Sequence, residues 1–161
     1  MPADCPFFFI YLALCLMLSY QDIRYGLLPD RFTCPLLWGG LLWHACNDPQ
    51  RLPSAVWGAI AGYGAFAAIY WSYRLLRRRE GLGYGDVKLL AALGAWHGWQ
   101  SLPQLVFIAA GLASTLVLMR LFREGKLRAL KNPLPFGPFL AAAGFVTLMQ
   151  TASGGTAFTP L

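Results

Sequence analysis

An all-α, polytopic membrane fold with about six transmembrane helices is predicted by three observations on this chain of 161 residues. Hydrophobic residues make up 57% of it and charged residues only 12%, about half the roughly 25% that soluble domains carry. Apolar residues gather into six stretches, and basic residues gather into alternate connections between them. At about 20 residues per span, six spans use most of the chain, so residues 1–161 are expected to form a single membrane-embedded domain.

The first stretch, Pro6 to Tyr25, follows Met1-Pro2-Ala3-Asp4, which lacks a basic n-region. It is therefore expected to be a retained span and not a cleaved signal peptide. The second, Phe32 to Cys46, and the fourth, Val87 to Trp99, are short for a bilayer. Such spans extend into their flanks or pack against other helices where the membrane is thin, since about 17 residues is the usual lower limit. The third, fifth and sixth run from Pro53 to Tyr73, Pro103 to Phe122 and Phe136 to Thr151. Gly58 with Gly62, and Gly94 with Gly98, place small residues four apart, which suits close helix contact.

Placing the N-terminus outside, on the periplasmic face, sends three connections to the cytoplasm and leaves the C-terminus outside as well. Those connections hold Arg24 and Arg31, then Arg74, Arg77, Arg78, Arg79 and Lys88, then Arg120, Arg123, Lys126, Arg128 and Lys131. Twelve of the thirteen Lys and Arg residues thus fall on one side, and only Arg51 falls on the other. This is the bias of the positive-inside rule, so the net charge of +6 is mainly a topology signal. Attraction to the headgroups of membrane lipid accompanies that role, while no aromatic-interleaved soluble surface supports nucleic-acid binding.

Cysteines at positions 5, 15, 34 and 46 include no CxxC pair, so no zinc ribbon is encoded, and buried thiols of this kind behave as small hydrophobes. His44 and His97 lie on different spans and are expected to be hydrogen-bonded interior groups. No metal or other cofactor is called for.

Acidic residues isolate the chemistry. Asp4, Asp30, Asp48, Glu80 and Glu124 fall in loops or ends, which leaves Asp22 near the end of span one and Asp86 where span four begins. Both are expected at the cytoplasmic membrane face. An ionisable group at membrane depth is costly, so a functional role is the default hypothesis, although an aspartate at a helix N-terminus is also suited to the dipole there. Two neighbouring carboxylates share a proton, one serving as general base and the other as general acid. The base deprotonates water attacking a scissile carbonyl, and the acid protonates the developing oxyanion. Gly83 and Gly85, which flank Tyr84 ahead of Asp86, let a substrate backbone come close.

Three segments carry a more specific signal. Asp22 with Leu27-Leu28-Pro29-Asp30 and Thr33 through Trp38, the run from Gly81 to Trp96, and Pro135-Phe136-Gly137-Pro138-Phe139-Leu140 resemble, in that order, motifs of the type IV prepilin peptidase family. That family is the bacterial branch of the GxGD intramembrane aspartyl proteases. The resemblance implies that Asp22 and Asp86 are the catalytic dyad of a membrane aspartic endopeptidase in the bacterial inner membrane. It implies substrates that are prepilins or pseudopilins, cut on the cytoplasmic side between a basic leader and a hydrophobic helix, and partners in pilus or type II secretion assembly. Full-length members also carry a zinc-binding cytoplasmic domain and methylate the new N-terminus. The chain resembles a short form without that domain, so peptidase activity is expected and N-methyltransferase activity is not.

Tyr84, Pro135, Phe136 and Gly137 are expected to border the cleft, and Lys88 to serve either as a helix-end cation or as an aid to substrate or dyad. Arg24 is expected to be a topology anchor, though it would depress Asp22 if it turned back. Two rival readings use the same residues: a small transporter coupling ions through intramembrane carboxylates, and a non-catalytic pilus or secretion scaffold.

Overall fold

Each of the six apolar stretches forms one α-helix. The computed structural model of the chain describes residues 5–77, 83–124 and 135–153, and within these it contains α1 (Cys5–Tyr25), α2 (Asp30–Asn47), α3 (Leu52–Arg77), α4 (Tyr84–His97), α5 (Leu102–Glu124) and α6 (Gly137–Ser153). A single 3-10 turn, Trp99–Ser101, leads into α5. Arg78, Arg79, Glu80, Gly81, Leu82, Lys126, Arg128, Lys131 and both termini lie outside the described residues.

Helix ends follow local sequence. Gly26 adopts φ 62°, a left-handed conformation that glycine takes without a Cβ penalty, and its N–H closes on the Asp22 carbonyl at 2.9 Å. This stops α1 at Tyr25, three residues past Asp22. Pro29 then holds extended backbone and α2 begins at Asp30.

Three helices are long and apolar enough to cross a membrane by themselves: Pro6–Tyr25, Leu52–Leu76 and Trp99–Arg120. The other three do not meet that standard. At 14 residues and about 1.5 Å rise per residue, α4 is only about 21 Å long against a hydrocarbon core of roughly 30 Å. It compensates by being interior. Asp86, Val87 and every residue from Leu89 to Trp96 are buried, with α2, α3 and α6 packed around them. A helix that is apolar on all sides has no amphipathic stripe to turn toward solvent, and burial in the bundle is the arrangement that suits it.

The long helices are inverted relative to a soluble bundle. Phe107 on α5 is 81% exposed, Leu75 on α3 84% and Phe9 on α1 67%. Apolar side chains so distributed over whole helix faces belong against lipid, and the chain is a membrane protein.

Successive helices alternate in direction around α4. Gly137 and Gly144 of α6 approach Asp22 and Tyr11 of α1, so these two helices run antiparallel. Gly58 and Gly62 of α3 approach Gly94 and Leu90 of α4, again antiparallel, and a Cβ at either Gly58 or Gly94 would run into the other's carbonyl. The α2 helix runs with α4, from the Asp30–Lys88 ion pair to the His44–Trp96 hydrogen bond. Gln104 at the start of α5 bonds Gln150 near the end of α6. One end of the bundle therefore gathers the end of α1, the start of α2, the end of α3 and the starts of α4 and α6.

The opposite end is pinned by Trp96. Its Nε1–H donates to the Leu36 carbonyl at 2.7 Å, Gly40 packs against the indole, and Tyr11 meets the ring edge-on at 4.9 Å. His44 donates from Nε2 to the Trp96 carbonyl at 3.2 Å, and His97 is hydrogen-bonded to the Tyr11 hydroxyl at 3.3 Å. Both histidines are thus interior hydrogen-bonding groups, and no group of three His, Cys, Asp or Glu among the described residues is placed to hold a metal ion.

Candidate active site

Asp22 stands in the last turn of α1 and Asp86 in the first turn of α4, 64 positions later, and alternation of the helices brings both to the same end of the bundle. They line one cavity of about 360 Å³ with Gly26, Leu27, Leu28, Tyr70, Gly83, Tyr84, Gly85 and Lys88. Asp22 is 7% exposed and Asp86 5%.

Asp86 lies one residue ahead of the apolar run that begins at Val87 and outside the three membrane-length segments. Burial pushes its carboxyl up to about 7, the facing Asp22 charge adds to the rise, and a hydrogen bond from the Gly83 backbone N–H works against it. Its Oδ1 is buried without a hydrogen-bond partner among the described residues. Asp22 Oδ2 instead accepts from the Gly137 N–H at 2.9 Å.

Other expected site residues take distinct places. Gly83, Tyr84 and Gly85 form one wall, and Gly85 packs so closely on Leu28 that a Cβ there would lie 2.7 Å from the leucine Cβ. Tyr84 is fixed by a hydroxyl–hydroxyl hydrogen bond to Tyr63 and an edge-on contact with Tyr70 at 5.3 Å. Gly137 supports Asp22 from outside the cavity lining. Pro135 and Phe136 do not line the cavity. Phe136 sits behind, its ring 6.3 Å from that of Phe66 and its carbonyl opening the α6 ladder. Lys88 lines the cavity and donates from Nζ to Asp30 Oδ1 at 2.6 Å. Arg24 does not turn back to Asp22; its guanidinium stands 6.0 Å from the Tyr20 ring.

Three participants take places at the site that the sequence does not assign them. Asp30, expected as a hydrated loop residue, begins α2 and binds Lys88. Leu28 supplies an apolar wall, and Tyr70 enters from α3, held by Arg74 Nη1 at 3.0 Å. For Tyr70 the available signal was its position seven residues from Tyr63, which puts both tyrosines on one face of α3.

The arrangement offers paired carboxylates, one in a dry setting, beside a groove walled by glycine backbone and tyrosine. It is suited to moving one proton between two oxygens and a bound reactant.

Comparisons with known proteins point to a peptidase family. The family described as the type IV leader peptidase family matches residues 9–119. The leader peptidase HopD of Escherichia coli is 62% identical over 146 residues, covering 91% of this chain and 94% of that protein. HopD of Salmonella typhimurium is 64% identical over 142 residues, covering 88% and 91%. The prepilin leader peptidase/N-methyltransferase of Dickeya chrysanthemi is 51% identical over 140 residues, which are 86% of this chain but 48% of that longer protein. No solved structure matches.

Proposed function

This chain belongs to the type IV leader peptidase family, and from that premise we propose that it is a membrane aspartic endopeptidase removing the basic leader from prepilins or pseudopilins, with Asp22 and Asp86 as its catalytic pair. The observation that carries the assignment of the pair is their meeting in one cavity from helices far apart in sequence. A water between the two acids gives a proton to the ionised one as its oxygen bonds to the scissile carbonyl carbon, while the protonated one gives its proton to the carbonyl oxygen. Neither a metal nor a covalent nucleophile is needed.

The proposed topology has six spans, with residues 1–161 as one peptidase domain and both termini in the periplasm. Support comes from alternation of the helices and from charge. The described cations Arg24, Arg31, Arg74, Lys88 and Arg120 lie on segments at the cavity end, whereas Arg51 follows α2 at the other. By the positive-inside rule the cavity end is cytoplasmic, which puts the pair where a basic leader remains after its hydrophobic helix has entered the bilayer. The place of action is then the bacterial inner membrane, in lipid, alongside pilus or type II secretion assembly. The chain spans about half of the Dickeya chrysanthemi bifunctional relative, and peptidase activity alone is proposed.

The test is incubation of the purified, reconstituted chain with a prepilin, followed by mass analysis of the products. Cleavage at the junction of leader and hydrophobic segment is expected, and Asp22→Asn or Asp86→Asn should each abolish it while leaving expression and membrane insertion intact. Full activity in either variant would remove the pair from the mechanism. Proton or cation flux without cleavage would favour a transporter.

A further inference from the structure

The two acids meet the backbone unequally. Gly137 is the first residue of α6, where N–H groups have no intrahelical acceptor, and its N–H is spent on Asp22 Oδ2. Phe136 starts the helical ladder by accepting from Phe139 and Leu140, and Pro138 has no N–H to offer. The first turn of α6 is thereby arranged around the one donor directed at Asp22, and the positive end of the helix favours an anion there. Only glycine permits the approach, because a Cβ at position 137 would lie 2.7 Å from Oδ2 and 3.1 Å from Cγ of Asp22.

Asp86 also receives a backbone donor, from Gly83, but its Oδ1 remains buried with no partner among the described residues. An ionised oxygen left in that state is costly, whereas the same oxygen carrying a proton becomes a donor to the reactant. Among the described side chains, the cations on the neighbouring segments are engaged elsewhere and do not redress the difference: Lys88 on Asp30, Arg74 on Tyr70, Arg24 near the Tyr20 ring and Arg31 near the Phe32 ring.

We propose that the resting pair is divided, with Asp22 the carboxylate base and Asp86 the acid bearing the proton on Oδ1, and that the Gly137 N–H is the positioning group that fixes this division. The inference rests on the peptidase reading above. In the first step a water O–H bond breaks, its proton passes to Asp22, and the water oxygen bonds to the scissile carbonyl carbon. The carbonyl π pair takes the proton of Asp86, giving a neutral gem-diol, protonated Asp22 and ionised Asp86. In the second step Asp22 delivers its proton to the amide nitrogen, the C–N bond breaks, and Asp86 recovers a proton from the gem-diol. Both acids return to their starting states. Because the Gly137 donor binds the ionised form of Asp22 more strongly, it also favours that return.

The test has two arms on the full chain in detergent. In the first, Gly137→Ala lowers kcat about tenfold or more on a prepilin substrate and moves the acidic limb of the pH–rate profile to higher pH. An acidic limb that stays in place while kcat falls would mean a packing role only and overturn the inference. The second arm needs neither that variant nor any activity. Infrared titration of the remaining carboxyl in Asp86→Asn and in Asp22→Asn should show Asp22 ionising at lower pH than Asp86, and the reverse order, or no difference, overturns the division. Cleavage with the reverse order leaves the peptidase reading intact and sinks the division. The expected order with no cleavage of any prepilin supports the division and sinks the reading.

Discussion

Lys88 on α4 donates to Asp30 on α2 at 2.6 Å, and this ion pair bridges two helices beside the cavity that holds the paired acids. Its side chains are 33% and 61% exposed, so water and salt screen it, and such pairs contribute about 0–1 kcal/mol. A double-mutant cycle with Lys88→Met and Asp30→Asn should therefore give a coupling below about 1 kcal/mol in thermal unfolding. If Lys88 aids substrate, Lys88→Met raises KM and leaves kcat nearly unchanged. A large loss of kcat would instead give Lys88 a direct part in the chemistry.

Activity should depend on pH through the pair. With Asp86 pushed up to about 7, the acid it supplies is lost as pH rises through that value, so the rate falls on the alkaline side. On the acidic side the rate falls as Asp22 gains a proton and ceases to be a base. A bell-shaped pH–rate profile with an alkaline limb near 7 is expected, and a single titration would count against a shared proton.

The same group works against stability. An unfolded aspartate ionises near about 3.9, so between roughly pH 4 and pH 7 the folded chain binds more protons at Asp86 than the unfolded chain does. The contribution of Asp86 to stability is thus greatest below that window and declines across it. Asp86→Asn, neutral at every pH, should be inactive yet more stable than the parent above about pH 7, by on the order of 1 kcal/mol or more. Melting temperatures of both proteins from acid to mildly alkaline pH would test this, and equal values throughout would contradict burial of the charge.

Much of this site is legible in the sequence because ionisable residues beside apolar runs are rare and Gly-x-Gly-Asp marks a turn into a helix. Asp22 and Asp86 stand out on those grounds, as do the six helices and the small-residue contact faces at Gly58 and Gly94, though not that these two faces meet each other. What local pattern does not carry is which helix occupies the middle. A short run such as Val87 to Trp99 looks like a weak span, and its brevity is explained only by the helices around it. Contacts made through that arrangement were hidden for the same reason: Asp30 with Lys88, Tyr70 with Tyr84, and Gly137 with Asp22. Arg24, two residues from Asp22, is read as a topology anchor and does not turn back to the acid, since neighbours two apart on a helix do not share a face.

Glycine at the α3–α4 contact separates close packing from mere helix weakness. Gly58 touches the Gly94 carbonyl, so Gly58→Ala must spread the helices and should cost about 1–3 kcal/mol. Gly64, on the same helix, has nothing within 4 Å of a built Cβ, and Gly64→Ala should be neutral or stabilising by up to about 1 kcal/mol. Thermal unfolding in one detergent would compare them, and equal losses would dismiss the contact.

Trp96 tests whether the end of the bundle remote from the acids governs the cavity. Its indole N–H satisfies the Leu36 carbonyl at 2.7 Å, and its ring fills the space left by Gly40. Trp96→Phe keeps an aromatic ring but removes the donor, and should cost about 1–3 kcal/mol because the bond is buried. Asp86 lies at the opposite end of α4, ten residues away at about 1.5 Å per residue, or about 15 Å, with Asp22 of α1 beside it. If α4 moves as a rigid rod, weakening one end also loosens the other, and kcat should fall with stability. If the acids are held locally by Gly83 and Gly137, the variant melts earlier yet cleaves at nearly the parental rate. The hydrogen bond at Gly137 and the close fit of Gly85 on Leu28 favour the second outcome. Unfolding and single-turnover cleavage measured on the same preparation would decide, with a large loss of rate at full folding standing against local control.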